Sequence, residues 1–270
     1  MDKVPITTSQ ISIDEAISLL GGFRQFQWLL DAAFCLILTP IAFQILLMTF
    51  AAIDSPWVCV VNSTICKLNG TQTPSEQARC DMPRTEWTYV HEKHFSLSTE
   101  FDLSCENAWI THLLTSVVFI GWAIGAIVLG SIADNYGRKK VIYPSTAIII
   151  IVGLICSFLG NITMIVICRF VIGFFIPGAN VQTYILVLEY VGSRQRPLAG
   201  FILFISFQVN LCVLALQAYF IQSWKILSVV CTAPYLLALL TYAFVPESVR
   251  WLRYVHMWIF IHVCVCLCLL

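Results

Sequence analysis

Six apolar runs, each near or above the ~20 residues that a helix needs to cross a bilayer, divide this chain at 28–52, 109–133, 141–159, 162–187, 198–221 and 226–245. Between them the polar residues gather in turns and one long loop. The pattern predicts an all-α membrane protein with six transmembrane helices. The intervening stretches read as an N-terminal segment 1–27, a loop 53–108, polar turns at 134–140, 188–197 and 246–253, and an apolar tail 254–270. The first run begins too far in, and lacks the basic flank and small-residue site, to be a cleaved signal peptide.

Charge orients the spans. Arg138, Lys139 and Lys140, then Arg194 and Arg196, then Arg250 and Arg253 fall in turns on one side, whereas the short turns opposite carry only Lys225. The bias of Lys and Arg toward cytosolic loops places the first set inside, with both termini cytosolic and 53–108 outside the cell. That orientation suits a multi-pass protein of the plasma membrane. The chain is 59% hydrophobic and 11% charged with a formal net charge of +0, and no basic tract interleaved with aromatics. Lipid is therefore the expected surrounding, and no nucleic-acid partner is expected.

The outer loop holds Cys59, Cys66, Cys80 and Cys105. An even set in an oxidising compartment predicts two disulfides, with three connectivities open. Asn62 and Asn69 open sequons in the same loop and are expected to be glycosylated. Asn161 opens a third, but in a tight turn at the membrane surface, where it is expected to stay bare. The other eight cysteines lie in apolar segments and read as small hydrophobes.

The chemistry of the inner turns is more specific. Gly130 to Lys140 reads G-S-I-A-D-N-Y-G-R-K-K, and resembles the signature loop of the major facilitator superfamily, G-x-x-x-D-[RK]-x-G-R-[RK]-[RK]. Asn135 alone departs, standing where a base is usual. Four further stretches resemble the organic cation/anion/carnitine transporters of solute carrier family 22. They are Gly22 to Gln27, Thr99 to Cys105, Cys168 to Gly173 followed by Glu189 to Gly192, and Pro246 to Leu252, where Val249 replaces a usual proline.

The resemblance implies the amino-terminal six-helix half of a major facilitator fold, and transport of small organic ions by alternating access. It implies a conformational latch made from Gly130, Asp134, Gly137, Arg138, Lys139, Arg169, Glu189, Arg194, Glu247 and Arg250. Gly137 suits a tight turn, and Arg169, a cation inside the fourth helix, needs a partner. Gly121, Gly125 and Gly130 suit close helix contact. For substrate binding the resemblance implies Tyr184 and Phe207, with aromatics receiving a cation or an apolar body, and Gln208, a polar residue within the fifth helix, is a further candidate. Asn180 and Pro177 depart from the cation-selective pattern. Gln44, Gln182, Asn210 and Gln217 are further polar positions expected to face the cavity or hydrogen-bond neighbours. Pro177 is expected to kink the fourth helix.

A full member of that family carries a second six-helix half, so this chain is expected to be a truncated form with a divergent tail. The alternative is a non-transporting membrane fragment that self-associates or binds and regulates a full-length relative. Nothing reads as an enzyme. No phosphate loop, nucleophile elbow or zinc helix is present, and His91 and His94 have no further ligands in register. No cofactor and no metal are expected.

The outer loop yields the first test. Glycosidase treatment is expected to increase the mobility of the wild-type chain and leave an Asn62→Gln, Asn69→Gln double variant unchanged. An unshifted wild type, with an antibody reaching 53–108 only from the cytosol, would overturn the orientation.

Overall fold

The computed structural model describes residues 25–60, 79–91, 94–248 and 251–252. Residues 1–24 of the N-terminal segment, Asn62, Cys66, Asn69, Arg250 and the tail 254–270 lie outside the described residues. The elements are α1 (Gln25–Ala51), β1 (Trp57–Cys59), β2 (Trp87–Tyr89), α2 (Leu97–Phe101), α3 (Trp109–Tyr136), α4 (Lys139–Phe158), α5 (Ile162–Tyr190), α6 (Arg196–Phe220), α7 (Trp224–Thr232) and α8 (Pro234–Leu240). Six stretches are long and apolar enough to cross a membrane: α1, α3, α4, α5, α6, and α7 with α8 as Trp224–Ala243.

Local chemistry sets several ends. Asn161 caps α5, its Oδ1 accepting from the Thr163 amide at 2.9 Å. The side chain of the third sequon is thus occupied by the helix it begins. Pro197 sits in the first turn of α6, where its missing N–H costs nothing. The last span was expected to be one helix, and the structure divides it at Ala233. Pro234 has no N–H for the preceding turn, while Ala233 keeps helical dihedrals of −55° and −40°, so the segment continues into α8. Helix α5 runs unbroken through Pro177, and ends at Tyr190 rather than 187.

Helices α1 and α5 form the centre. Helix α1 packs on α6, α5, α7 and α8, and α5 packs on α3 and α4. Phe34, Ile37 and Ile41 of α1 meet Ile142 and Ile149 of α4 and Ile172 and Ile176 of α5 in one core cluster. A second cluster, with Phe43, Leu47, Leu97, Leu114 and Trp224, fills the end nearest α2. The outward faces of α3 and α6 stay open, exposing Ile120, Ile124 and Ile127 on one and Phe201, Phe204 and Leu216 on the other.

The α3–α5 pair is the closest. A Cβ on Gly125 would stand 1.9 Å from the Phe174 carbonyl oxygen, one on Gly121 2.5 Å from that of Phe170, and one on Gly173 2.2 Å from that of Val118. The two backbones therefore touch directly, as small residues allow in membranes. Gly130 does not belong to this contact, because its Cβ would meet only the Gln182 side chain, at 4.0 Å. The expectation of close helix contact holds for Gly121 and Gly125 and is corrected for Gly130.

The described residues between 53 and 108 form a cap with a small β element that the six apolar runs do not announce. Strands β1 and β2 pair antiparallel, Trp57 opposite Tyr89 and Cys59 opposite Trp87. Trp57 and Trp87 meet edge to face at 6.0 Å, and the Arg84 guanidinium lies 4.0 Å over the Trp87 ring. Of the three open connectivities, the structure pairs Cys80 with Cys105. Cys59 is also disulfide-bonded. Helix α2 ties the cap to the bundle. Ser98 Oγ donates to the Ala52 carbonyl at 3.0 Å, and Glu100 accepts from Lys225 Nζ at 2.6 Å and Trp224 Nε1 at 2.7 Å. Burial raises the pKa of Glu100, but hydrogen bonds from Lys225, Trp224 and His94 outweigh it and hold the carboxyl below its ordinary value. A depressed carboxyl contributes stability above its ordinary pKa and loses it as pH falls through the lowered one, so the cap contact weakens in acid.

The two glycines make a paired test. Gly125→Ala is expected to destabilise the purified protein by about 1–3 kcal/mol through overpacking, read as earlier loss of the monodisperse peak on heating. Gly130→Ala is expected to behave as wild type. Equal behaviour of the two variants would refute the backbone contact.

Candidate functional site

Where α3 stops, the chain turns sharply into α4. Gly137 has φ +105°, a conformation that L side chains rarely adopt, and a Cβ there would also stand 2.8 Å from Glu247 Oε2. The glycine thus satisfies both the turn and the approach of a carboxylate from the far end of the chain. That carboxylate accepts from the Lys139 amide at 3.0 Å, the first turn of α4, where free N–H groups and the helix dipole favour an anion.

Arg138, the next residue, joins three segments. Its Nε donates to Glu189 Oε1 at 3.0 Å, its Nη1 to Gln182 Oε1 at 2.9 Å, and its Nη2 lies 3.3 Å from Asp134 Oδ1. The partners differ in weight. Arg138 and Glu189 side chains are 15% and 11% exposed, whereas Asp134 is 68% exposed. The pair with Glu189 is therefore held mostly out of water and the pair with Asp134 is a surface contact. Ser248 Oγ donates to the other oxygen of Glu189, and Tyr190 Oη donates to the Glu247 carbonyl. Trp251 closes the edge, with Nε1 donating to the Asn135 carbonyl at 3.3 Å and the Lys140 ammonium 5.1 Å from its ring centre. Lys139 Nζ lies 4.0 Å over the Tyr242 ring.

Of the expected latch residues, the structure brings together Asp134, Gly137, Arg138, Lys139, Glu189 and Glu247. Gly130 stands a turn above them, making no close backbone contact. Arg194 is exposed and makes no ion pair among the described residues, while Arg196 instead holds the Leu188 carbonyl at 3.1 Å. Arg169 stands elsewhere. It lies on α5 about 30 Å from Glu189 at ~1.5 Å per residue, is 1% exposed, and donates to the Gln44 carbonyl at 3.2 Å. No carboxylate meets it among the described residues, and its Nε has no partner. It is a buried cation of the opposite half, not a member of the cluster.

Sequence reading missed four contributors. Gln182 stands seven residues before Glu189, two helical turns along the same face, and that spacing was the available signal. Ser248, Tyr190 and Trp251 flank recognised motif residues, but only the folded contact shows which of their atoms are used.

The expected substrate residues form no hydrogen-bonded group. Tyr184 is 44% exposed, with its hydroxyl against Gly200 of α6, Phe207 is half-buried and Gln208 is exposed. The other polar positions are engaged within the fold. Gln44 donates to Thr232 Oγ1 at 3.0 Å, Gln182 holds Arg138, Asn210 donates to the Ser206 carbonyl at 2.8 Å, and Gln217 accepts from Cys231 Sγ at 3.8 Å. Only Gln208 of the five remains open to a ligand. No group of three or more His, Cys, Asp or Glu is placed to hold a metal among the described residues.

Residues 57–257 match the model of the family described as "Sugar (and other) transporter". The chain belongs to that family. Solute carrier family 22 member 3 of Mus musculus is 36% identical over 182 residues, covering 67% of this chain and 33% of the relative. Organic cation/carnitine transporter 2 of Arabidopsis thaliana is 31% identical over 253 residues, covering 91% of this chain and 46% of the relative. The chain thus spans a third to about half the length of these relatives. In fold it is similar to the xylose transporter XylE from E. coli in an inward-open conformation, with a TM-score of 0.58 at 14% identity, covering 84% of this chain and 50% of that one. The fold is half of a major facilitator fold, and the relatives to which the chain is similar in sequence include solute carrier family 22 members and organic cation/carnitine transporters.

The unequal burial of the two carboxylates is testable. Glu189→Gln is expected to destabilise the purified protein by on the order of 2–3 kcal/mol, and Asp134→Asn by less than about 1 kcal/mol, read by chemical denaturation in one detergent. The reverse order would remove Glu189 from the centre of the cluster.

Proposed function

We propose that this chain forms one six-helix half of an alternating-access transporter of small organic ions in the plasma membrane. The Arg138 end, with both termini, faces the cytosol and the cap lies outside. The observation that carries the reading is Arg138, which from the turn between α3 and α4 binds Asp134 of α3 and both Gln182 and Glu189 of α5 at once. Glu247, from the segment after α8, covers the start of α4. Few groups hold many segments, so separating the helix ends breaks the whole set together, which is what a latch between two states requires.

What supports the substrate class is the set of relatives, whose names include organic cation and carnitine transporters. Tyr184, Phe207 and Gln208 supply a ring face, an apolar surface and one free amide, a set that suits an organic cation or a zwitterion. The open apolar faces of α3 and α6 are the surfaces against which a second six-helix body packs, and transport needs that body. Gln208 and its neighbours otherwise line one wall only.

The test is uptake of labelled organic cations and anions by cells expressing the chain joined to the second six-helix half of a relative, beside the chain alone. Saturable uptake is expected from the first and none from the second. In the joined form Asp134→Ala is expected to lower the maximal rate several-fold while changing KM little. A raised KM at an unchanged maximal rate would overturn the latch, and saturable uptake by the chain alone in liposomes would overturn the need for a second body.

A further inference from the structure

Asp31 is the one acid on α1, a turn and a half inside a helix that is otherwise apolar from Trp28 to Ala51 save for Thr39, Gln44 and Thr49. It is 3% exposed, and neither carboxylate oxygen has a hydrogen-bond partner among the described residues. A buried carboxylate normally accepts several N–H or O–H groups or faces a cation, because ionised it has lost its water and gained nothing in return. A burial of this kind inside a membrane span marks function before it marks structure.

Among the described residues, no charged or hydrogen-bonding group is paired with it. The titratable neighbour on its own helix is the Cys35 thiol, one turn on, which meets Ser206 of α6. On α5, Glu189 is engaged by Arg138 and Ser248, and Tyr190 donates to the Glu247 carbonyl. On α6, Arg196 holds the Leu188 carbonyl. On α7, Lys225 is bound to Glu100 and Cys231 faces Gln217. On α3, Asp134 pairs with Arg138 at the exposed surface. Near α8, Thr241 is paired with Tyr143, and the Tyr242 ring receives Lys139. Arg169, a buried cation of α5, meets α1 at Gln44, ~20 Å further along the helix at ~1.5 Å per residue.

We propose that Asp31 is a proton-binding site in the seam between α1 and α6. In the closed seam seen here the side chain is a neutral carboxylic acid. It gives its proton to water when α1 and α6 part, since only a hydrated or partnered site holds the charge. Protonation then favours the closed seam and ionisation the open one, which couples the proton to the position of α6, the helix that carries Phe207 and Gln208. The coupling to transport rests on the reading given under Proposed function, whereas the protonation itself does not.

Infrared spectroscopy of the purified full chain in lipid nanodiscs tests the protonation without any transport. At neutral pH the wild type is expected to show a carbonyl stretch of a protonated carboxylic acid that Asp31→Asn lacks. The same band is expected to disappear from the wild type as pH rises. Identical spectra for the two proteins at neutral pH would mean that Asp31 is ionised, and would overturn the proposal. If Asp31→Asn does not fold, Asp31→Glu is expected to move the band, and an unmoved band overturns the proposal equally. In the form joined to a second half, Asp31→Asn is expected to abolish the pH dependence of uptake. A pH dependence unchanged by the variant would overturn the coupling, while loss of uptake in both forms would strike the transport reading and leave the infrared result to decide the protonation.

Discussion

Direct backbone contact between α3 and α5 is the constraint on which the rest of the structure depends. Gly121, Gly125 and Gly173 leave no side chain between the two helices at the levels of Phe170, Phe174 and Val118. Side chains in lipid gain little from apolar contact alone, so close approach of helices depends on packing and on polar pairs. With the two axes fixed at the glycines, the ends of α3 and α5 emerge side by side, and Arg138, just past the α3 terminus, is delivered to Glu189 near the α5 terminus. The electrostatic cluster at this end is a consequence of steric choices made some three turns away.

Polar groups fall into two layers with few in between. At one end Arg138, Glu189, Gln182 and Ser248 satisfy one another, and at the other Glu100, Lys225, Trp224 and Ser98 tie the cap to the bundle. Between them Gln44, Thr232, Ser228 and Ser157 form a chain that links α1, α7 and α4. Each bond in an apolar surrounding removes a desolvation penalty that water would otherwise have met. Within the membrane spans Asp31 and Arg169 stand apart, among the described residues, as buried ionisable groups with unmet atoms, placed in opposite halves and too far apart to neutralise each other.

The cluster at Arg138 also contains a gradient of strength. The pair with Glu189 is largely shielded from water, the pair with Asp134 is open to it, and Glu247 binds through backbone amides of α4 and of its own segment rather than through a cation. In the proposed latch this ordering matters. The exposed contact with Asp134 is the weaker one, and the shielded pair with Glu189 is the stronger tie between the α3–α4 turn and the end of α5.

Much of this was readable along the chain. Span length and apolarity located the membrane helices, because a helix in lipid must satisfy its own backbone over a fixed thickness. Charge bias, the glycine at a turn and the even cysteine set each have a local physical meaning that needs no fold. What remained hidden was every relation between distant residues. Sequence could not choose Cys80 for Cys105, draw two short strands from a polar loop, or separate Gly125, which touches a backbone, from Gly130, which does not. It put Arg169 with the cluster by motif, and the fold puts it in the other half, since a helix of this length carries residues of one motif to opposite ends. It left four polar span positions besides Gln208 equivalent, and packing engaged those four within the fold and left Gln208 exposed. Such assignments depend on which helix faces meet, and that is decided only when the glycine contacts and the bundle core fix every helix at once.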